Sequence, residues 1–199
     1  MSKKLLITLP EYERIFRVIH TVLRSTDTRS APSCLFYNTV GAFMLEQALK
    51  VKARPLMGAA FIRLHDPTAS VAAFAVLHED GSCEGSQERF HCWVDTPTHV
   101  IDFTAPVYQQ YADEANMQVK VPSKMFQRRK EEMAPSHHEL FREGDFYMQP
   151  NLKLTQALME RGTGSVATGD LANVCMTWFR RPPKPIEPTM GMVNTEGME

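Results

Sequence analysis

The sequence contains no run of about 20 apolar residues, the length a bilayer-spanning helix requires. Its first sixteen residues, MSKKLLITLPEYERIF, are too poor in apolar side chains before Pro10 for the core of a secretory signal. The expected compartment is the cytoplasm, with no membrane partner. There is no block of like charge either. Lys and Arg number 22, Asp and Glu 23, and the formal net charge is -1. That leaves no electrostatic footprint for nucleic acid. The one basic cluster, Arg128 to Lys130, runs directly into Glu131 and Glu132 and is expected to be a solvated helix face. No C-x-x-C pair occurs among the four cysteines, Cys34, Cys83, Cys92 and Cys175, which argues against a disulfide framework. "GTGS" (162–165) is not followed by Gly-Lys-Ser/Thr and reads as a helix stop, not a phosphate loop. "SHHEL" (136–140) lacks the His-Glu-x-x-His spacing of a zinc protease and reads as a helix start capped by Ser136.

What is present is enough apolar material, 43% of 199 residues, for one domain with a substantial core. A first helix begins near Pro10, a residue tolerated in the first turn. Tyr12, Ile15, Phe16, Ile19, Val22 and Leu23 recur along it at helical spacing. The polar turn "STDTRSAP" (25–32) follows. A second helix is expected from Pro32 or Ser33 to about "KVKA" (50–53), with Leu35, Phe36, Val40, Phe43, Met44 and Leu49 on its apolar side.

The pattern then changes to strands: 56–64, an interior-looking run at 70–78, then 89–94 and 99–104 around the turn "DTPT" (95–98). Residues 107–147 are polar and expected to be helical in part. A helix is expected over 151–162, with Gly162 as its stop, and a late strand at 173–179. From 181 to 199, four prolines and no periodicity indicate a tail. The expected fold class is therefore α+β, one domain over 1–180 with a Pro-rich tail at 181–199.

One constellation carries chemistry. With "DTPT" as a four-residue hairpin loop, Val94 faces His99 and His91 faces Asp102, close enough for a carboxylate to orient an imidazole. A two-residue slip keeps the pair on one face as diagonal neighbours; a one-residue slip separates them. Cys34 stands at the expected start of the second helix. A free thiol is only about 3% thiolate at neutral pH. Unpaired N–H groups at a helix start and a nearby imidazolium favour the anion, and the Cys34 N–H is available to an oxyanion. Core packing is the alternative role for a cysteine in that position. A metal site built from Cys83, His91, Cys92 and His99 is disfavoured, because the adjacent His91 and Cys92 point to opposite sheet faces.

A helix-start cysteine, followed on a sheet by "H-x-W-V" (91–94) and then "V-I-D" (100–102), resembles the papain-like superfamily in its transglutaminase-like arrangement. That group includes the arylamine N-acetyltransferases. The resemblance spans roughly residues 30–106 and is read as an uncharacterised bacterial family within the superfamily. It implies an antiparallel sheet packed against the nucleophile-bearing helix, Cys34 as nucleophile, His91 as base and Asp102 as its orienter. It implies thiol-dependent hydrolysis or transfer of an amide or ester acyl group, on a small-molecule or peptide substrate and without a cofactor. The sequence departs from specific members of that superfamily. Thr28 stands where papain-type proteases carry glutamine, the glycine-rich surround of their cysteine is absent, and Arg29 is not in the context of the acetyltransferase arginine. Thr28, Ser33 and Asn38 are candidates for a second oxyanion donor. A non-catalytic binding module on the same fold is the alternative function.

Overall fold

The structure is a computed structural model that describes residues 5–25, 33–114, 116, 118–121, 124–163 and 166–181. The turn at 26–32, the end of "GTGS" at 164–165 and the tail from 182 onward lie outside the described residues.

The fold is α+β. Helix α1 (Leu9–Ser25) opens on a capping box. The Glu11 carboxylate accepts from the Thr8 N–H at 2.7 Å, and the Thr8 hydroxyl accepts from the Glu11 N–H at 3.4 Å. Helix α2 (Ser33–Leu49) follows, then strand β1 (Arg54–His65). β1 organises an antiparallel sheet with β2 (Ser70–Phe74), β5 (His91–Asp95), β6 (His99–Asp102), β7 (Phe126–Arg129) and β8 (Phe146–Pro150), ordered β2-β1-β5-β6-β7 with β8 also on β1. Two short strands, β3 (Val76–Leu77) and β4 (Cys83–Glu84), pair separately. The remaining helices are α3 (Tyr108–Glu114), α4 (Leu152–Thr163) and α5 (Val166–Arg180). Among the described residues no helix is long and apolar enough to cross a membrane.

Alternation along the strands divides the core between two faces. Val94, Ile101 and Phe103 pack with α1, α2 and α5 on one side. Trp93, Val100, Phe126 and Met148 pack with α3 on the other. β1 changes partner along one edge. Gly58 pairs with His91 of β5, and two residues on Ala60 pairs with Phe74 of β2, while β8 holds the opposite edge from Gly58 to Ile62. This change of partner brings the Phe74 and His91 rings into a stack at 4.6 Å.

Four expectations need correction. Residues 173–179 are helical, as part of α5. Val174 and Thr177 favour a strand in a seven-residue window, but Leu171, Cys175, Met176 and Phe179 together give a helical stripe buried against α1. The 70–78 run is not interior. It forms edge strand β2, then breaks at Ala75 so that Val76 and Leu77 can pair with β4. The basic cluster is not on a helix face: Arg128 and Arg129 end β7, and Lys130 begins a single turn of 3-10 helix. "SHHEL" is a turn rather than a helix start, with the Ser136 hydroxyl donating to Glu139 at 2.9 Å.

Beyond α3, the 107–147 segment supplies strands β7 and the start of β8. β7 reads as polar because its buried Gln127 serves the backbone. It accepts from the N–H groups of Leu6 and Ile7 at 3.1 and 3.0 Å and donates to the Ile7 carbonyl at 3.0 Å.

At Gly58 the backbone of three segments meets. A Cβ there would lie 2.1 Å from the Gln149 carbonyl oxygen, and a Cβ on Gly85 would lie 2.4 Å from the Gly58 carbonyl carbon. The loop leading into His91 thus crosses directly over β1. Gly58→Ala is expected to lower the urea midpoint by the equivalent of about 1–3 kcal/mol with an unchanged slope, the scale of overpacking against atoms that cannot yield. Denaturant titration checks this; an unchanged midpoint would mean that the crossing is not close.

Candidate active site

Cys34 is the second residue of α2 and is half-buried. At the opposite end of the cluster, His91 opens β5 and Asp102 closes β6. The hairpin between them differs in register from the simplest expectation. Val94 pairs with Ile101 and Asp95 with Val100. The tight turn runs over Thr96–His99, closed by the Thr96 N–H to the His99 carbonyl at 3.0 Å and by the His99 N–H to the Thr96 hydroxyl at 2.9 Å. Pro97 thereby takes the second position of the turn, where its fixed φ belongs, instead of the third. The shift is by two residues, so face parity is kept. His91 and Asp102 become diagonal neighbours, and His91 Nε2 donates to Asp102 Oδ2 at 2.9 Å with both side chains fully buried.

Asp102 is saturated with donors. Oδ2 accepts from His91 and from the Tyr108 hydroxyl. Oδ1 accepts from the Thr104 N–H at 2.8 Å and the Asn38 amide at 2.9 Å. The Tyr12 hydroxyl donates to its backbone carbonyl. Asn38 reaches further. Its Nδ2 lies 2.7 Å from the Cys92 carbonyl, 3.0 Å from the Thr104 hydroxyl and 3.2 Å from the Cys34 carbonyl, and its Oδ1 accepts the Phe103 N–H at 2.9 Å. An amide has two hydrogens to share among those acceptors, so no donor remains for an oxyanion. That removes Asn38 from the candidate oxyanion donors and makes it the link between α2 and the two strands. Thr28 lies outside the described residues, as does the side chain of Ser33.

Three features set the electrostatics. Burial works to raise the Asp102 pKa, but the His91 charge and the hydrogen bonds from His91, Tyr108 and Asn38 hold it below its ordinary 3.8. Burial works to lower the His91 pKa; Asp102, with a smaller contribution from Cys34, overrides this and holds it at about 10. Burial pushes up the thiols of Cys83, Cys92 and Cys175, the last to about 12.

With Nε2 committed to Asp102, Nδ1 is the nitrogen left to meet Cys34. The thiol interacts with the ring as a hydrogen-bonding and electrostatic neighbour. Yet Nδ1 has no partner at full hydrogen-bond geometry. The resting contact is therefore looser than a formed bond, as is common before substrate binds. Phe74 covers the ring, and Cys34 packs beside Phe90, Leu154, Leu158 and Met159. Cys83 and His99 stand apart from this cluster, Cys83 with Phe61 and Leu140, His99 in the hairpin turn. Among the described residues no three His, Cys, Asp or Glu side chains gather as a metal site requires.

Comparison with known proteins adds a family and a fold. Residues 8–199 match the family described as "Protein of unknown function (DUF2026)". The chain belongs to this DUF2026 family. The crystal structure of a genomics target is similar at 34% identity, with a TM-score of 0.81, covering 98% of this chain and 91% of that one. No curated protein matches the chain.

Sequence reasoning passed over Tyr108, Tyr12 and Thr104 and gave Asn38 a different role. Asn38 carried a usable signal, because it lies one helical turn from Cys34 and shares its face. Tyr108 carried none, since only the 3-10 turn Ala105–Val107 carries it back over Asp102.

The buried pair makes stability depend on pH. The raised His91 pKa contributes stability that is complete below the unfolded value of about 6.5 and is lost as pH rises through about 10. The lowered Asp102 pKa contributes stability that is present above its unfolded value and is lost as pH falls through the folded one. Wild type is therefore expected to lose stability between about pH 7 and 10. His91→Ala should abolish that slope and cost about 3–5 kcal/mol, because a buried carboxylate loses its counter-charge. Denaturant titration at several pH values checks both; parallel pH profiles for the two proteins would contradict the raised pKa.

Proposed function

We propose that the protein is a thiol-dependent acyl hydrolase or acyltransferase of papain-like, transglutaminase-like arrangement, with Cys34, His91 and Asp102 as its catalytic triad. One observation carries the reading. A fully satisfied buried carboxylate holds one nitrogen of His91 and leaves the other, unbonded, for a cysteine at a helix start. A histidine serving only the core would have both nitrogens satisfied.

The chemistry follows from the charge state. With the His91 pKa at about 10, the imidazole is protonated at neutral pH, and Cys34 supplies the nucleophile, which attacks as the thiolate form in any cysteine-dependent acyl transfer. The thiolate attacks the carbonyl carbon of an amide or ester and forms a carbon–sulfur bond. The resulting oxyanion is met by the Cys34 N–H, which has no partner within the helix. Collapse of the tetrahedral species breaks the bond to the leaving amine or alkoxide, and that group takes the Nδ1 proton of His91. Water or an acceptor nucleophile then attacks the thioester and gives its proton to Nδ1, and the thiolate departs. Asp102 remains ionised and fixes Nε2–H throughout. No cofactor enters any step.

Labelling with iodoacetamide tests the reading, provided that it looks past simple exposure. Cys34 should label ahead of the other three in any case, because Cys83, Cys92 and Cys175 are 7%, 0% and 0% exposed. The deciding comparison is His91→Gln, which is expected to slow Cys34 labelling about tenfold or more near pH 6, where an isolated thiol is almost wholly protonated. Asp102→Asn should slow it less. Equal rates in wild type and His91→Gln would end the catalytic reading and leave a binding module as the better account.

A further inference from the structure

Cys34 stands on an apolar surface drawn from four parts of the chain. Leu35 is beside it on α2, Met57 comes from β1, Phe90 and Cys92 from the entry to β5, and Leu154, Leu158 and Met159 from α4. Met57, Phe90, Cys92 and Leu154 are buried. Leu35, Leu158 and Met159 pack against them and, like Cys34, stay partly open to solvent. Leu154 and Leu158 are one turn apart and so share a face of α4, whereas Leu152, 65% exposed, lies outside the cluster.

The surface continues past Met159. The Thr39 hydroxyl donates to Met159 Sδ at 3.9 Å, and both residues line a cavity of about 530 Å³ bordered by α2, α4 and α5. Ala42, Phe43, Pro55 and Ala172 line it as well. Small-molecule sites commonly enclose about 300–1,000 Å³. Leu35 and Thr39 are one turn apart on α2, so the cavity begins on the face that Leu35 presents. At about 1.5 Å per residue, Thr39 is about 7–8 Å along the helix from Cys34. The charged residues of the cavity are already engaged: Glu46 accepts from the Ala53 N–H at 3.4 Å, and Arg54 pairs with Asp95 at 3.2 Å. Beyond burial, the charges acting on the Cys92 thiol are those of Cys34 and Asp102, and neither is a cation that would hold an anionic group. A charged group placed on this surface would lose water without gaining a partner.

From this surface we infer that the acyl group presented to Cys34 is uncharged and apolar, a medium-length chain that lies across Leu35, Leu158 and Met159 toward the cavity. Its being an acyl group rests on the catalytic reading; the preference for an apolar chain beside Cys34 does not.

Chloromethyl ketones test this on the full chain, because they carry their chain on a carbonyl as an acyl group does. The Cys34 sulfur attacks the methylene, a carbon–sulfur bond forms and chloride leaves. Labelling of Cys34 is compared for chloroacetone, chloromethyl hexyl ketone and the analogue of the latter that ends in a carboxylate, each rate divided by that with free glutathione. The hexyl ketone is expected to be about tenfold or more faster than chloroacetone, and the carboxylate-ended analogue no faster than chloroacetone. Leu158→Asn should cut the hexyl preference about threefold or more, and Leu35→Asn carries the same comparison if that variant fails to fold. Leu152→Asn should leave the preference intact. The preference is a ratio within one protein, so it is read whether or not His91→Gln slows labelling, and failure of the catalytic reading is seen separately from failure of this one. No preference for the hexyl ketone, an equal preference for its carboxylate-ended analogue, an undiminished preference in the folded cluster variants, or an equal loss in Leu152→Asn would each overturn the inference.

Discussion

A single buried amide holds the candidate site together. Asn38 sits one turn inside α2, touches the backbone of β5 through the Cys92 carbonyl, and touches β6 through the Asp102 carboxylate and the Phe103 N–H. The helix that carries Cys34 is thereby fixed to the strand that begins at His91 and the strand that ends at Asp102. Removing the amide would strand the Cys92 carbonyl and the Phe103 N–H in a dry interior, at about 1–3 kcal/mol each, and would leave Asp102 Oδ1 with the Thr104 N–H as its remaining donor. Its neighbours are chosen to match. A Cβ on Gly41, three residues on, would lie 2.3 Å from the Phe103 ring, and Phe103 in turn stacks on Tyr12 at 4.8 Å. The close approach of α2 to β6 thus depends on a glycine as well as on a hydrogen bond.

The same donors that fix Asp102 also set the charge of the site. A buried carboxylate left alone would take up a proton. Four donors keep Asp102 ionised, and its charge in turn keeps His91 protonated despite burial. This separates two tasks that an imidazole of ordinary pKa would share. In the proposed mechanism His91 starts as an acid, already holding the proton a leaving group needs, and serves as a base only after giving it up. Tyr108 shares Oδ2 with His91 and lies 3.1 Å from Nε2, so it tempers the basicity of that oxygen.

The sequence was most legible where one local rule decided the outcome. The first-turn proline and the periodicity of α1, the start of α2 near Ser33 and the apolar run of β1 were all readable. The even spacing of His91 and Asp102 survived an error in register because strand parity tolerates a shift of two. Legibility failed where distant chain overrode local pattern. Cys175 and Met176 lie in a helix because α1 offers them a partner face. Gln127 sits in a strand as a buried polar residue because the segment before α1 needs its amide. Phe74 reached the site only through the change of partner along β1, and Tyr108 through a 3-10 turn. Neither has a signature in its own neighbourhood.

The most direct measurement of the central claim is the ¹⁵N NMR titration of the His91 imidazole in wild type and in Cys34→Ser. The account predicts that both ring nitrogens are protonated at neutral pH in wild type, with deprotonation only near pH 10. It also predicts a lower titration midpoint in Cys34→Ser, since the serine hydroxyl cannot supply the thiolate's charge. A neutral His91 ring at pH 7, or identical titrations in the two proteins, would contradict a working unit of Cys34, His91 and Asp102.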